Sequence, residues 1–273
     1  MTEVAVHLGR LVEEFADAIV CPGCGGRVVL ESFQAALCGQ CKESYRWIGR
    51  TWDLVPLRCR ESSDVWEVWD QLQVNGLVSY REDPDHNLAV GERSDCRDFA
   101  DFCRFDGRVL DVGCGPQPWP AYFRGHTART RFVGVDPLIE GSSAQYLQLR
   151  AVAEYLPFRS DVFDHVVFAT SLDHFVDPVR ALGEARRACR LDGQIDLWVG
   201  EKRAGAPPHA ESPDWYRRLQ RPAGSDDLFH IKRLDVSDVG RLLEAAGLHT
   251  RDHEVRRVDE YRTNHFFRLV SGT

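Results

Sequence analysis

At 273 residues the chain has room for one sizeable domain and a small accessory module, and 43% hydrophobic residues supply a core. With 42 acidic against 34 basic residues the net charge is −8, which argues against a non-specific nucleic-acid clamp, a task for clustered cations. No stretch approaches the roughly 20 apolar residues of a membrane helix, and the N-terminus lacks a basic start followed by an apolar run; the expectation is a cytoplasmic protein without membrane contact.

In chain order, residues 1–19 read as a short amphipathic helix, with Val4, Leu8, Leu11, Val12, Phe15 and Ile19 at helical spacing. Cys21, Cys24, Cys38 and Cys41 then form two C-x2-C pairs, each on a tight glycine-bearing turn. Four thiolates so placed complete a tetrahedral zinc shell with no open position, so the expected Zn2+ is structural. A module this small lacks a core of its own, and metal binding supplies its folding energy. The other cysteines, Cys59, Cys96, Cys103, Cys114 and Cys189, read as small core or loop residues. Tyr45, Trp47 and Trp52 follow in short β-like runs. They either stack on RNA bases or, the preferred reading, form the ribbon's own core and its seat on the next domain.

Residues 57–105 look mainly helical around Val65, Trp66, Trp69 and Leu72 and again around Phe99 and Phe102, with a polar loop at Arg81–Asp85 between them. From residue 108 strands alternate with helices. Strands are predicted at Arg108–Val112, Phe132–Val135, His165–Ala169, Gln194–Val199, Arg251–Val258 and His265–Ser271, and helices at Pro178–Cys189 and Val236–Ala246. This alternation predicts an α/β fold, a doubly wound, mostly parallel seven-stranded sheet whose last two strands make an antiparallel edge hairpin, plus the small N-terminal zinc ribbon. The predicted units are 1–58 (helix and ribbon), 59–104 (helical cap) and 105–273, the last with a long insertion at about 201–230.

The strand at Arg108–Val112 runs into Gly113-Cys114-Gly115-Pro116, and a helix is expected next. Glycines let the backbone approach a ligand, and a helix N-terminus favours an anionic group. A dinucleotide loop would carry a third glycine where Pro118 stands, and Asp111 would repel a pyrophosphate. Asp111 instead suits a ligand bearing an ammonium and a sulfonium, S-adenosylmethionine (SAM), whose carboxylate can use the free amides of the Gly113–Gly115 turn. Asp136, before Pro137 at the end of the next strand, is placed to accept the ribose hydroxyls, or else caps a helix.

On these residues the segment 105–273 resembles the class I SAM-dependent methyltransferases. The resemblance implies an adenine-side role for Glu154 and Tyr155 in Ala153–Phe158, a methyl-facing loop at Ser171–Pro178, and a turn at Leu191–Gln194 where the family usually has Pro-Gly-Gly. The ribbon and Tyr45–Pro56 resemble the small zinc-ribbon activator subunit of tRNA and protein methyltransferases, and the N-terminal ribbon of bacterial ribosomal-RNA guanine methyltransferases.

Methyl transfer is an in-line displacement in which the enzyme mainly aligns donor and acceptor, with a base where the acceptor carries a proton. His174 and Asp173 are the first candidates, His230 the next; alternatively His174 makes a structural hydrogen bond that shapes the methyl site, and His230 caps a helix or forms a salt link with Asp227. Tyr80 and His86 from the cap and Trp215 and Tyr216 from the insertion, read as a lid, are the candidate acceptor wall. The expected function is methylation of a small molecule, with natural-product biosynthesis suggested by acidity, the aromatic lid and a basic set with only three lysines (Lys42, Lys202, Lys232), as a GC-rich genome would encode. RNA base methylation with the ribbon holding RNA, and a non-catalytic SAM-fold scaffold, are the alternatives.

Overall fold

The structure, a computed structural model, describes residues 14–32, 34–49, 51–60, 64–84, 93–140, 145–203 and 213–271. Most of the amphipathic N-terminal stretch, His86 and the Pro207-Pro208 part of the lid lie outside these residues.

Strands β1 (Val28–Ser32), β2 (Ala35–Cys38), β3 (Ser44–Ile48) and β4 (Thr51–Asp53) form a small antiparallel sheet in sequential order. The central sheet comprises β5 (Arg108–Val112), β6 (Arg131–Val135), β7 (Leu147–Leu149), β8 (Phe163–Ala169), β9 (Cys189–Lys202), β10 (Leu248–Arg257) and β11 (Arg262–Ser271), ordered β7-β6-β5-β8-β9-β11-β10. Pairs from β7 to β9 are parallel. The late hairpin is antiparallel, as expected, and its second strand β11 inserts between β9 and β10, leaving β10 at the edge. Strand β7 was not among the predicted strands, because three residues are too few to show a period.

Side chains alternate across this sheet. Leu110, Val112, Val133 and Val166 face a core shared with α3 (Pro178–Ala188) and α5 (Val236–Ala246). Val109, Phe132 and Val167 face the other way, onto α2 (Ser94–Cys103) and an aromatic cluster. Asp177 caps α3 by accepting from Arg180 N, with Pro178 in the first turn, and Asp235 and Asp238 form a capping box on α5.

Two local expectations are corrected. No helix follows the Gly113–Gly115 loop. Pro116, Pro118 and Pro120 stand at alternate positions, each lacking an N–H and pushing its predecessor toward extended backbone, so a helix cannot start. Aromatic packing replaces it, with Phe123 stacked on Phe132 at 3.9 Å between ring centres. Likewise Leu191-Asp192-Gly193 is not a turn preceding a strand but a bulge within β9, where pairing jumps from Phe163↔Cys189 to His165↔Gln194. A Cβ on Gly193 would lie 2.9 Å from the Asp164 carbonyl oxygen, which excludes larger residues.

The ribbon packs on the β7 edge. Leu54 N donates to Arg150 O (2.8 Å), Arg150 N to Trp52 O (3.0 Å) and Thr51 Oγ1 to Gln148 O (2.7 Å). Phe15, Ala18, Tyr45 and Leu54 belong to the same core as Leu149 and Phe158. A strand edge that would otherwise be open to pairing is thereby covered. Helix α1 (Asp64–Glu82) reaches the carboxyl ends of β5 and β6, and Asn75 ties it to the lid by donating to Gln220 O (3.0 Å) and Leu228 O (2.8 Å).

Candidate active site

The loop after β5 is built on two left-handed glycines, Gly113 (φ 78°) and Gly115 (φ 66°). A Cβ on Gly113 would stand 2.4 Å from Ser171 Cβ. Ser171 Oγ donates to Val112 O (2.6 Å), so the loops after β5 and β8 are clamped together. Asp136, on the next strand's end, accepts from Gly115 N (2.9 Å) and Leu138 N (2.8 Å), one on each carboxylate oxygen. No helix follows Pro137, so the capping alternative for Asp136 falls away; each oxygen keeps a second lone pair for a ligand. Cys114 is fully buried with its sulfur 3.4 Å from Gly115 O, a packing position.

Asp111 is completely buried. Its Oδ2 accepts from the Tyr122 hydroxyl at 2.7 Å, while Oδ1 has no partner. Burial, reinforced by the Asp136 charge, pushes the Asp111 carboxyl up to about 7, and burial pushes Asp136 up to about 6. Of these two acids, Asp136 lines the site's cavity, while Asp111 stands buried behind the glycine turn.

On the third side, Glu154 is buried and accepts from Val176 N (2.8 Å) and Asp177 N (3.2 Å), tying its turn to the start of α3. Tyr155 does not reach the site; its ring lies between the guanidiniums of Arg58 (5.2 Å) and Arg180 (4.1 Å).

A cavity of about 820 Å³ runs from Gly113, Asp136 and Glu154 to His174 and His230. It is walled by Trp69 and Tyr80 of α1 and by Trp215 and Tyr216 of α4 (Asp214–Arg218), a volume suited to a nucleoside-sized ligand beside a second small molecule. Sequence reasoning missed Trp198, which lines the cavity and buries its indole N–H without a partner. It sits in a hydrophobic strand where nothing marks it apart from its neighbours.

At the far end, Asp173 and His174 lie on a 3-10 turn after β8. His174 Nδ1 is 3.1 Å from Phe229 O, and its ring centre is 4.1 Å from that of His230. His230 Nδ1 meets Asp227 Oδ1 at 2.7 Å, and Arg233 bridges Asp227 (2.8 Å) and Asp173 (3.4 Å). Burial lowers His174 to about 4, so it is neutral at pH 7. Burial alone would raise the Asp227 carboxyl, but the His230 bond holds it well below the ordinary carboxylate range. The Asp227–His230 link is the one the sequence offered as the structural alternative for His230, whereas Arg233 was not foreseen.

Comparison with known proteins gives this geometry a family. The methyltransferase-domain family matches residues 87–253. The chain belongs to that family. The uncharacterized methyltransferase YcgJ of Bacillus subtilis (strain 168) is 28% identical over 168 residues, spanning 55% of this chain and 60% of the relative's length. Among solved structures, the Burkholderia thailandensis 1,6-didemethyltoxoflavin-N1-methyltransferase, with bound 1,6-didemethyltoxoflavin and S-adenosylhomocysteine, is similar at TM-score 0.53 and 15% identity, over 89% of this chain and 99% of that one. A SAM-dependent methyltransferase from Thermotoga maritima is similar at TM-score 0.50 and 16% identity, over 74% and 99% respectively.

The cysteine pairs form a second cluster, remote from the cavity wall. The sulfurs of Cys21, Cys24, Cys38 and Cys41 lie within 4.8 Å of one another, with Cys21–Cys41 at 3.6 Å and Cys24–Cys38 at 3.5 Å. Four thiolates on a tetrahedral zinc with bonds of about 2.3 Å would stand about 3.8 Å apart, so the residues fit the ion. Gln40 N and Cys41 N each donate to Cys38 Sγ at 3.4 Å, which supports thiolate charge there. Tyr45 is buried with its hydroxyl 2.9 Å from Cys21 Sγ; it belongs to the ribbon's interior and cannot stack on a base. The five remaining cysteines are all buried, as expected.

Proposed function

We propose that this protein transfers a methyl group from SAM to a small-molecule acceptor, and that its ribbon carries a structural Zn2+. The observation that carries this reading is the single cavity joining the glycine turn, Asp136 and Glu154 to an aromatic-walled chamber ending at His174 and His230. The amides of Gly113 and Cys114 are taken by Val135 O and that of Gly115 by Asp136, so the expected free amides are not there for the methionine carboxylate; Asp111, buried behind the turn, answers the ammonium by its charge, and Asp136 with Pro137 takes the ribose. Glu154 marks the adenine side, with Tyr155 acting only through its stack on Arg180. Ser171 holds the methyl-side loop in place.

The acceptor lies between Tyr80, Trp215 and Tyr216, with its reacting atom toward the Asp173, His174 and His230 cluster. Displacement at the sulfonium needs alignment above all, which aromatic walls on two sides of the acceptor supply. The Burkholderia protein, which holds a small acceptor beside the demethylated donor, is in keeping with such an arrangement, and a biosynthetic role extends the same reading. The test is incubation with methyl-labelled SAM and cell extract, followed by size fractionation. Label is expected in small metabolites; label recovered in RNA or protein would sink the acceptor assignment, and failure to bind SAM in calorimetry would sink the whole reading.

A further inference from the structure

We propose that the acceptor end of the cavity binds a divalent transition-metal cation through His174 Nε2, His230 Nε2 and the Asp173 carboxylate. This rests on the proposed reading only in placing the ion beside the acceptor; the site itself stands on its own geometry. Among the described residues these three form one of two groups able to converge on an ion, with ligand atoms within 4.8 Å of one another. The other is the cysteine cluster.

The partners of each ring carry the argument. Each imidazole already uses Nδ1, His174 toward the Phe229 carbonyl (3.1 Å) and His230 toward the Asp227 carboxylate (2.7 Å). Both partners are acceptors, so each Nδ1 carries a hydrogen and Nε2 is the atom left for a ligand. His230 Nε2 then faces Asp173 Oδ2 at 3.5 Å, and His174 Nε2 faces Asp173 Oδ1 at 3.9 Å. The three ligand atoms therefore converge on one point, where a metal cation takes the place of the protons the imidazoles would otherwise share with Asp173. Histidines held from behind by a carbonyl and a carboxylate have the outer-partner pattern of metal ligands.

Charge agrees. Two carboxylates, Asp173 and Asp227, meet one guanidinium, Arg233, which is half exposed and keeps its closer bond, 2.8 Å, to Asp227. Ligand atoms on an ion with bonds of about 2.1 Å stand roughly 3.0–3.4 Å apart, so small side-chain rotations close the site. Two nitrogens and one oxygen suit Fe2+, Co2+, Ni2+ or Zn2+ and leave coordination positions open. Because His174 and His230 line the cavity, those positions face the acceptor. The class of acceptor this favours is an oxygen chelator, such as a vicinal diol, catechol or hydroxycarbonyl compound. A coordinated hydroxyl loses its proton to water more readily; the oxygen then forms the O–CH3 bond as the S–CH3 bond breaks and its electron pair returns to sulfur.

The test uses the full chain with its ribbon metal retained. Co2+ is titrated in and followed by visible absorption, where a nitrogen–oxygen site lacks the strong thiolate bands of a cysteine site. A second equivalent per chain, without thiolate bands, is expected. His174→Asn and His230→Asn keep an amide near each Nδ1 position but remove Nε2, and each is expected to weaken that equivalent at least tenfold with an unchanged circular dichroism spectrum. A stoichiometry that stays at the ribbon metal alone, meaning the cluster holds only protons, overturns the proposal. So does a second equivalent indifferent to both variants. Neither result bears on SAM binding, so failure here and failure of the methyltransferase reading are distinguishable.

Discussion

Protonation of Asp111 should oppose donor binding in mildly acid solution. The carboxyl is completely buried, accepts one hydrogen bond from Tyr122, and is pushed up to about 7 chiefly by burial. If the donor's ammonium holds it ionised in the complex, the proton must leave on binding, and affinity must fall as pH drops through that value. For a group at about 7 that is fully ionised when bound, the affinity lost between about pH 8 and about pH 6 is about tenfold, with about one proton released per donor at the lower pH. Asp136, pushed up to about 6, steepens the loss further down. Calorimetry with SAM in two buffers of different ionisation heat measures both quantities. Asp111→Asn should flatten the profile and lower affinity at the upper pH. Stability should move the opposite way. The folded chain holds this proton up to about 7 but the unfolded chain only to about 4, so Asp111 destabilises the donor-free protein increasingly as pH rises through that window. Asp111→Asn should therefore melt higher than the native chain at about pH 8 and gain nothing near pH 4. A native affinity that is flat from about pH 8 to about pH 6 would refute the reasoning.

Gly113→Ala combines a left-handed backbone (φ 78°) with a Cβ 2.4 Å from Ser171 Cβ, and should abolish donor binding while costing at least about 1–3 kcal/mol in a denaturant titration; Gly25→Ala, at φ 74° with open space around it, should show the backbone part alone. Cys24→Ser should lose the ribbon's one equivalent of zinc by metal analysis and lower the melting temperature, and full retention of that equivalent would count against the ribbon site. Asp53 is buried between Arg60 and Arg150 and also accepts from Val55 N, so Asp53→Ala should lower stability by about 2 kcal/mol and loosen the ribbon from β7; an unchanged denaturation midpoint would contradict that. Trp198→Phe keeps an aromatic ring but loses the rest of the indole with its unpartnered N–H, and should raise KM for a confirmed acceptor without changing SAM affinity.

Contiguous features were legible in the chain itself. The strand–glycine turn, the acids at Asp111 and Asp136, the paired cysteines and the edge hairpin each occupy one short segment whose spacing reports its geometry directly. The absent helix after Gly115 was also written there, in the alternate prolines 116, 118 and 120, and was overlooked in favour of the usual strand–turn–helix pattern. Tertiary structure alone decided the rest, because those contacts join residues far apart in sequence, and side-chain periodicity carries no information about such pairings. It set Tyr80 against Gly115 and used Asn75 to bind α1 to the lid. It seated the ribbon on β7 and turned Tyr155 away from the site. At the cavity's far end it brought His174 and His230, 56 positions apart in the chain, to ring centres 4.1 Å apart, each ring held from behind by a hydrogen-bond acceptor. The convergence of those rings on Asp173 follows from that packing, and no residue in either segment announces it alone.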